Sequence, residues 1–178
     1  AMKQKMIGYD AKRIVRNATG LGSYGRTLVN DLAPLMPDTE LRLYAPDAGR
    51  DELRGQILPR ENVSFSHPRL HCRLQRDMWR MHSVVNNLKR DGVRIYHGLS
   101  GELPCGLSKA GIPGVVTVHD LIFLRHPEFY KPIDVFFYKW KFRQMLREAT
   151  RIIAISACTR RDILAYSDFP EDRIDVVY

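Results

Sequence analysis

The sequence predicts an α/β fold, a doubly wound, Rossmann-like and mainly parallel sheet of about seven strands with helices between them. Three observations carry this expectation. Short apolar runs of strand length alternate with stretches of helical period along the whole chain, the pattern of parallel strands joined by crossover helices. The chemically capable polar residues Arg13, His97, His119, Asp120 and Ser156 follow those apolar runs, where an open parallel sheet presents its ligand-binding edge. The chain has 178 residues, 44% of them hydrophobic, which suits a single domain with one good core, and no repeat, linker or low-complexity stretch divides it.

The elements follow in order. Lys5 to Asp10 reads as the first strand, Ala11 to Thr19 as a basic loop, and Tyr24 to Leu35 as a helix with Leu28, Leu32 and Leu35 inward, stopped by Pro37. Leu41 to Ala45 is the second strand, Asp51 to Leu58 a short helix, and Asn62 to Phe65 the third strand. Arg69 to Arg90 has the period of one long helix whose buried stripe is Leu74, Met78, Met81, Val85 and Leu88. Arg94 to His97 and Val115 to Val118 are strands four and five. They are separated by a Gly/Ser/Pro loop and by Gly111-Ile112-Pro113-Gly114. A long loop from His119 to Pro132 leads into a helix from Ile133 to Glu148. Arg151 to Ile155 is the sixth strand, Ala157 to Tyr166 a helix, and Ile174 to Tyr178 the seventh strand.

Gly20-Leu21-Gly22-Ser23-Tyr24-Gly25 is a literal G-x-G-x-x-G, yet it stands in the wrong place for a dinucleotide site. There the glycines follow the first strand at once; here Ala11 to Thr19 intervene. The acid that should end the second strand is also missing, since Glu40 precedes that strand and Pro46-Asp47 follows it. A nicotinamide-dependent oxidoreductase is therefore the disfavoured alternative. Gly20, Leu21 and Gly22, with Arg13 before them, form a glycine turn at a helix start, suited to a phosphorylated ligand other than NAD.

A net charge of +8, from 28 basic and 20 acidic residues, suits anionic partners or a solvated basic surface. The odd, scattered Cys72, Cys105 and Cys158 match no zinc spacing and no disulfide framework, which fits a cytoplasmic location. No H-E-x-x-H, P-loop lysine signature or nucleophile elbow occurs, so zinc and ATP hydrolysis lose support, and no metal site is expected. Ala1 before Met2 reads as a tag remnant. The end in a strand at Tyr178 reads as one domain cut from a longer chain.

Each candidate residue has a plain alternative. His119 either bonds a substrate hydroxyl or ties its loop to backbone carbonyls, with Asp120 as a turn residue. Ser156 is foremost an N-cap, with ligand contact a second use of the same position. His97-Gly98 is a ligand contact or a strand-end turn. The aromatic, basic stretch around Trp140 is read as a core helix with snorkelling cations in preference to a membrane-interface helix.

Taken together, the segments resemble the retaining GT-B glycosyltransferases of family four, the large bacterial group that includes mannosyl- and rhamnosyltransferases. The glycine loop Asn17 to Tyr24, Tyr96-His97-Gly98-Leu99, Thr117-Val118-His119-Asp120-Leu121 with His126-Pro127-Glu128, the segment Ile153 to Ile163, and Asp172 to Tyr178 occur in the family's order. The resemblance implies that residues 1–178 are the N-terminal, acceptor-side half of a two-domain enzyme, inactive when isolated, whose donor-binding domain lies beyond Tyr178. It implies a hexose transferred with retention from a nucleotide-diphosphate sugar to a polysaccharide or lipid-linked sugar, without a cofactor. Gly20 and Gly22 would bring backbone amides to the donor phosphate, and His119 would bond the donor sugar. The expected partners are that donor, the carbohydrate acceptor and an anionic membrane surface at the inner face, and no nucleic acid. A non-catalytic sugar-phosphate-binding or nucleic-acid-binding domain is the remaining alternative. The aromatics cluster on helices and loops instead of one exposed sheet, which speaks against base stacking.

Overall fold

A computed structural model describes residues 5–178, so Ala1-Met2, expected to be a tag remnant, lies outside the described residues. Strands β1 (Lys5–Asp10), β2 (Thr39–Tyr44), β3 (Val63–Ser66), β4 (Ile95–Gly98), β5 (Gly114–Val118), β6 (Ala149–Ala154) and β7 (Ile174–Val176) form one sheet of order β3-β2-β1-β4-β5-β6-β7. Every neighbouring pair is parallel. Such strands must be joined by crossovers, and the sequence supplies them as helices: α1 (Lys12–Arg16), α2 (Gly20–Leu35), α3 (Asp51–Arg54), α4 (Arg73–Met78), α5 (Val84–Asp91), α6 (Ile122–Arg125), α7 (Pro132–Glu148) and α8 (Ala157–Tyr166). The expected fold class is therefore the observed one.

Strand pleating sends alternate side chains to opposite faces. Leu41 and Leu43 join Tyr9, Ile14, Val29 and Leu99 in one core cluster, whereas Tyr44 joins Tyr96, Leu88, Val116 and Ile152 in the other. The direction of strand addition reverses between β1 and β4. In an open sheet this switch point, at the carboxyl ends of the strands, is where the flanking loops part and leave a crevice. No helix among the described residues is long and apolar enough to cross a membrane.

Three expectations about the helices need correction. The stretch expected to be a basic loop contains α1, and α2 begins at Gly20, so the glycines lie inside a helix instead of in a turn before it. Gly22 and Gly25 are there for packing, whereas a Cβ on Gly20 would meet nothing within 4 Å. A Cβ on Gly22 would sit 1.8 Å from the Asn17 carbonyl oxygen, and one on Gly25 would sit 2.8 Å from Ile14 Cγ1. This close approach to α1 turns the inner face of α2 to Gly22, Gly25, Arg26, Val29 and Ala33, leaving Leu28 and Leu32 half-buried and Leu35 exposed.

The second correction concerns the long helix. A π-helical segment, Trp79–Ser83, joins α4 to α5. Its wider turn takes an extra residue and rotates the stripe before it out of phase with the one after it. Leu74 and Met78 are thus exposed and Met81 half-buried, while Trp79, Arg80, Val84, Val85 and Leu88 are buried. Third, the loop after β5 is ordered by α6 and a 3-10 turn, Pro127–Phe129.

Candidate active site

A cavity of about 310 Å³ opens at the carboxyl edge of the strands, beside the switch point. It draws Arg13 from α1, Leu21 from α2, Ser100 to Glu102 from the loop after β4, and Val118 to Leu121 from the end of β5. Phe123, Tyr130, Tyr138 and Phe142 close it with an aromatic wall, and Lys141 adds a cation. Four of the sequence-predicted residues, Arg13, Leu21, His119 and Asp120, thus meet in one concave site.

His119 is held from three directions. Its Nε2 lies 2.9 Å from the Leu99 carbonyl oxygen, which can only accept, so Nε2 carries the proton and donates. The Tyr24 ring meets the imidazole edge-on at 4.9 Å, and the Thr159 hydroxyl donates to the His119 carbonyl at 3.1 Å. With Nε2 as the donor, Nδ1 is the nitrogen left to accept, the right polarity to receive a hydroxyl proton from a ligand. The carbonyl tie and the ligand role therefore use different nitrogens. Asp120 is exposed, and its Oδ1 accepts the Ile122 amide at 3.3 Å, fixing the turn into α6.

The other candidates are placed differently. Gly20 is the first residue of α2, and Gly22 is packed against α1; the cavity lining includes neither. The Asn17 side-chain oxygen accepts the Thr19 amide at 2.8 Å and the Gly22 amide at 3.3 Å, taking the place an anion would occupy at this helix start. Ser156 is the N-cap of α8, its Oγ accepting the Thr159 amide at 3.1 Å, and it too lies outside the lining.

His97 is buried in the sheet. Its Nε2 lies 2.8 Å from the Thr117 hydroxyl, which also shares a 3.1 Å hydrogen bond with the Tyr24 hydroxyl. The chain His97–Thr117–Tyr24 supports His119 from behind.

Burial also lowers the His97 pKa to about 4, from an ordinary histidine value of 6.5. Its stabilising contribution is complete above the ordinary value, because there both folded and unfolded rings are neutral. Below 6.5 the unfolded chain takes up a proton that the folded chain refuses until pH falls through about 4. Stability should fall across that window by about 3 kcal/mol. Urea unfolding midpoints from pH 7 to 4, compared between the native chain and His97→Gln, check this. An equally steep acid loss in the variant would place its origin elsewhere.

The largest feature that sequence reasoning missed is a buried ion network on the cavity floor. Arg80 donates from Nε to Asp10 at 3.0 and 3.2 Å and reaches Glu102 with its other end. Lys141 Nζ donates to Glu102 at 2.9 Å. Burial alone would raise the Glu102 pKa, but the charges of Arg80 and Lys141 outweigh it and bring the value down to about 2. The Arg80 guanidinium likewise stays protonated, because Asp10 and Glu102 overcome its burial. The sequence did carry one signal, since Glu102 is the lone acid in an otherwise Gly/Ser/Pro-rich loop. Asp10 is occupied by Arg80, so Asp10 and Asp120 do not form the pair of poised carboxylates that a glycosidase requires.

Residues 19–178 match Glycosyltransferase Family 4, and the chain belongs to that family. It is similar to O-antigen chain mannosyltransferase B of Escherichia coli, with 29% identity over 168 residues, 88% of this chain and 42% of that protein. Among solved structures it resembles the lipopolysaccharide outer core galactosyltransferase WaaB in its apo form. That match has a TM-score of 0.54 at 15% identity and covers 98% of this chain and 44% of that one. Phytolacca americana UGT2 complexed with UDP-2fluoro-glucose and pterostilbene matches with a TM-score of 0.59 at 12% identity, covering 100% of this chain and 54% of that one. The structural matches establish the Rossmann-like half of a GT-B fold. The chain spans less than half the length of the curated relative and of WaaB.

Proposed function

We propose that this chain is the acceptor-side half of a retaining glycosyltransferase. It moves a hexose from a nucleotide-diphosphate sugar onto a polysaccharide or lipid-linked sugar, without a metal or cofactor. The observation that carries the reading is the cavity itself. His119, a cation at Arg13 and an aromatic wall converge on a space of sugar size at the sheet's switch point. Sugar rings present apolar C–H faces to aromatic rings and hydroxyls to polar groups, and this lining offers both.

Departure of a nucleoside diphosphate builds negative charge at the leaving oxygen and positive charge at the anomeric carbon. In this reading His119 Nδ1 holds a hydroxyl of the donor sugar beside the reacting carbon. Arg13 favours the anionic side, and transfer occurs on the face from which the diphosphate leaves. The donor nucleotide is held mainly by a second domain facing this one. The similarity to an O-antigen mannosyltransferase supports a polysaccharide acceptor. The setting is the cytoplasmic side, with peripheral contact to an anionic membrane.

Calorimetry of the chain with a panel of nucleotide sugars is the test. Proximity and charge stabilisation need both walls of the cleft, so the expected Kd is about 1 mM or weaker, roughly 4 kcal/mol of binding free energy. Micromolar binding of one donor, or sugar transfer by the chain alone, would overturn the division of labour.

A further inference from the structure

Helix α7 packs on the core through Val135, Phe142 and Met145, and its opposite face is not covered. Ile133, Phe136, Phe137 and Trp140 stand at i, i+3, i+4 and i+7, so they share that outer face. They are 58%, 65%, 51% and 45% exposed, where a core helix would have hidden them. The stripe then changes character. Arg143 and Arg147 continue it at the same spacing, and Lys131 and Lys139 flank it, all exposed. Phe129, in the 3-10 turn just before the helix, is exposed as well. The expectation of a core helix with snorkelling cations therefore fails for this face, because its large apolar groups point to solvent.

We propose that this face of α7 docks on a bilayer containing anionic phospholipid, with the aromatic half entering the interface and Arg143 and Arg147 at the lipid phosphates. A contiguous apolar stripe rimmed by cations is what an in-plane interfacial helix presents. The charge decides between occupants. Four exposed cations stand on or beside the stripe, and the whole chain carries +8. A second copy of the same face would bring like charges together, whereas an acidic headgroup layer neutralises them. Of the acids on α7, Glu148 is occupied, accepting the amides of Gly106 at 2.8 Å and Ser108 at 2.7 Å, and Asp134 is half-buried.

The placement gives docking a purpose. Tyr138, Lys141 and Phe142, on the same helix, line the cavity, so docking holds the cavity mouth at the headgroup layer. Resting on the proposed transfer reading, this points to an acceptor presented on a lipid carrier at the membrane surface in preference to a free polysaccharide.

The chain has two tryptophans, and Trp79 is buried while Trp140 lies in the stripe. A Trp79→Phe variant, its fold checked by circular dichroism, therefore reports Trp140 alone. It is titrated with vesicles of phosphatidylcholine, or of phosphatidylcholine with phosphatidylglycerol, each with and without brominated acyl chains. Co-sedimentation of the native chain with the same vesicles gives an answer independent of that variant. The expected result is binding to the anionic vesicles, with a blue shift and bromine quenching of Trp140. Affinity should weaken about tenfold at about 1 M salt, where the Debye length is about 3 Å. Arg143→Glu with Arg147→Glu should weaken vesicle binding by at least about tenfold, and Phe136→Ser with Phe137→Ser should abolish the quenching. Equal affinity for neutral and anionic vesicles, an unquenched Trp140, or no binding overturns the proposal. So does a stripe variant that changes the sedimentation of the chain in the absence of lipid, which would make the stripe a contact between copies. The vesicles carry no sugar, so their result is separate from success or failure of the transfer reading.

Discussion

Replacing Arg80 with methionine is expected to remove about 3–5 kcal/mol of folding stability. The substitution keeps much of the side-chain volume and deletes the charge, leaving Asp10 without its counterion and Glu102 with Lys141 alone. Side-chain exposure of the three groups is 8%, 5% and 17%, so water cannot replace what the guanidinium supplies. The Asp10 carboxylate also accepts the Lys12 amide at 3.2 Å at the start of α1, and Glu102 sits in the loop whose Leu99 carbonyl fixes His119. The damage should therefore reach the cavity as well as the core. Asp10→Asn combined with Arg80→Met should recover part of the loss, because the unpaired charge goes with its partner, and a double-mutant cycle from urea melts measures the recovery. Lowering the pH acts on the same network. Glu102 stabilises the fold fully above the ordinary value of 4.5, and that contribution is lost as pH falls through about 2. A loss of less than about 1 kcal/mol for Arg80→Met would mean that the network behaves like a solvated surface pair.

The parallel sheet was legible because buried parallel strands are written as short apolar runs, such as Val115 to Val118, set off by glycine and proline. Strand-end residues were legible for the same reason: once a run is recognised, the residue after it is placed, and this located Arg13, His119 and Asp120 at the cavity. What failed was what local periodicity does not encode. A π turn at Trp79–Ser83 shifts the stripe by an amount visible only when backbone bonds are counted. The close approach of α1 and α2 gave Gly22 and Gly25 of the G-x-G-x-x-G a packing purpose that spacing alone does not distinguish from a phosphate loop. His97 ends a strand like His119, yet one faces inward to Thr117 and the other lines the cavity, a difference set by pleat and register. Arg80, Glu102 and Asp10 are far apart in sequence, and the only local signal of the network is Glu102, the lone acid in its Gly/Ser/Pro-rich loop.

The central claim is that His119 acts on the reacting sugar and does more than tie its loop. In the complete enzyme, His119→Ala should lower kcat by about ten- to a hundredfold, the worth of one hydrogen bond to a charged centre. The donor Kd should move by less than about threefold, since a contact made mainly in the transition state appears in kcat and not in ground-state binding. The loop itself has other anchors, the Thr159 hydroxyl on the His119 carbonyl and the Asp120 carboxylate on the Ile122 amide, which the substitution leaves in place. His119→Asn separates the two roles further, because its side chain can still donate to the Leu99 carbonyl while its reach toward the cavity is lost. The deciding measurement is kcat at saturating donor, with donor affinity measured in parallel by calorimetry, for the native enzyme and both variants. The account predicts a large fall in kcat for both variants with donor affinity nearly unchanged. Native turnover in His119→Ala, or full recovery by His119→Asn, would contradict it and leave His119 as a fastener of its loop.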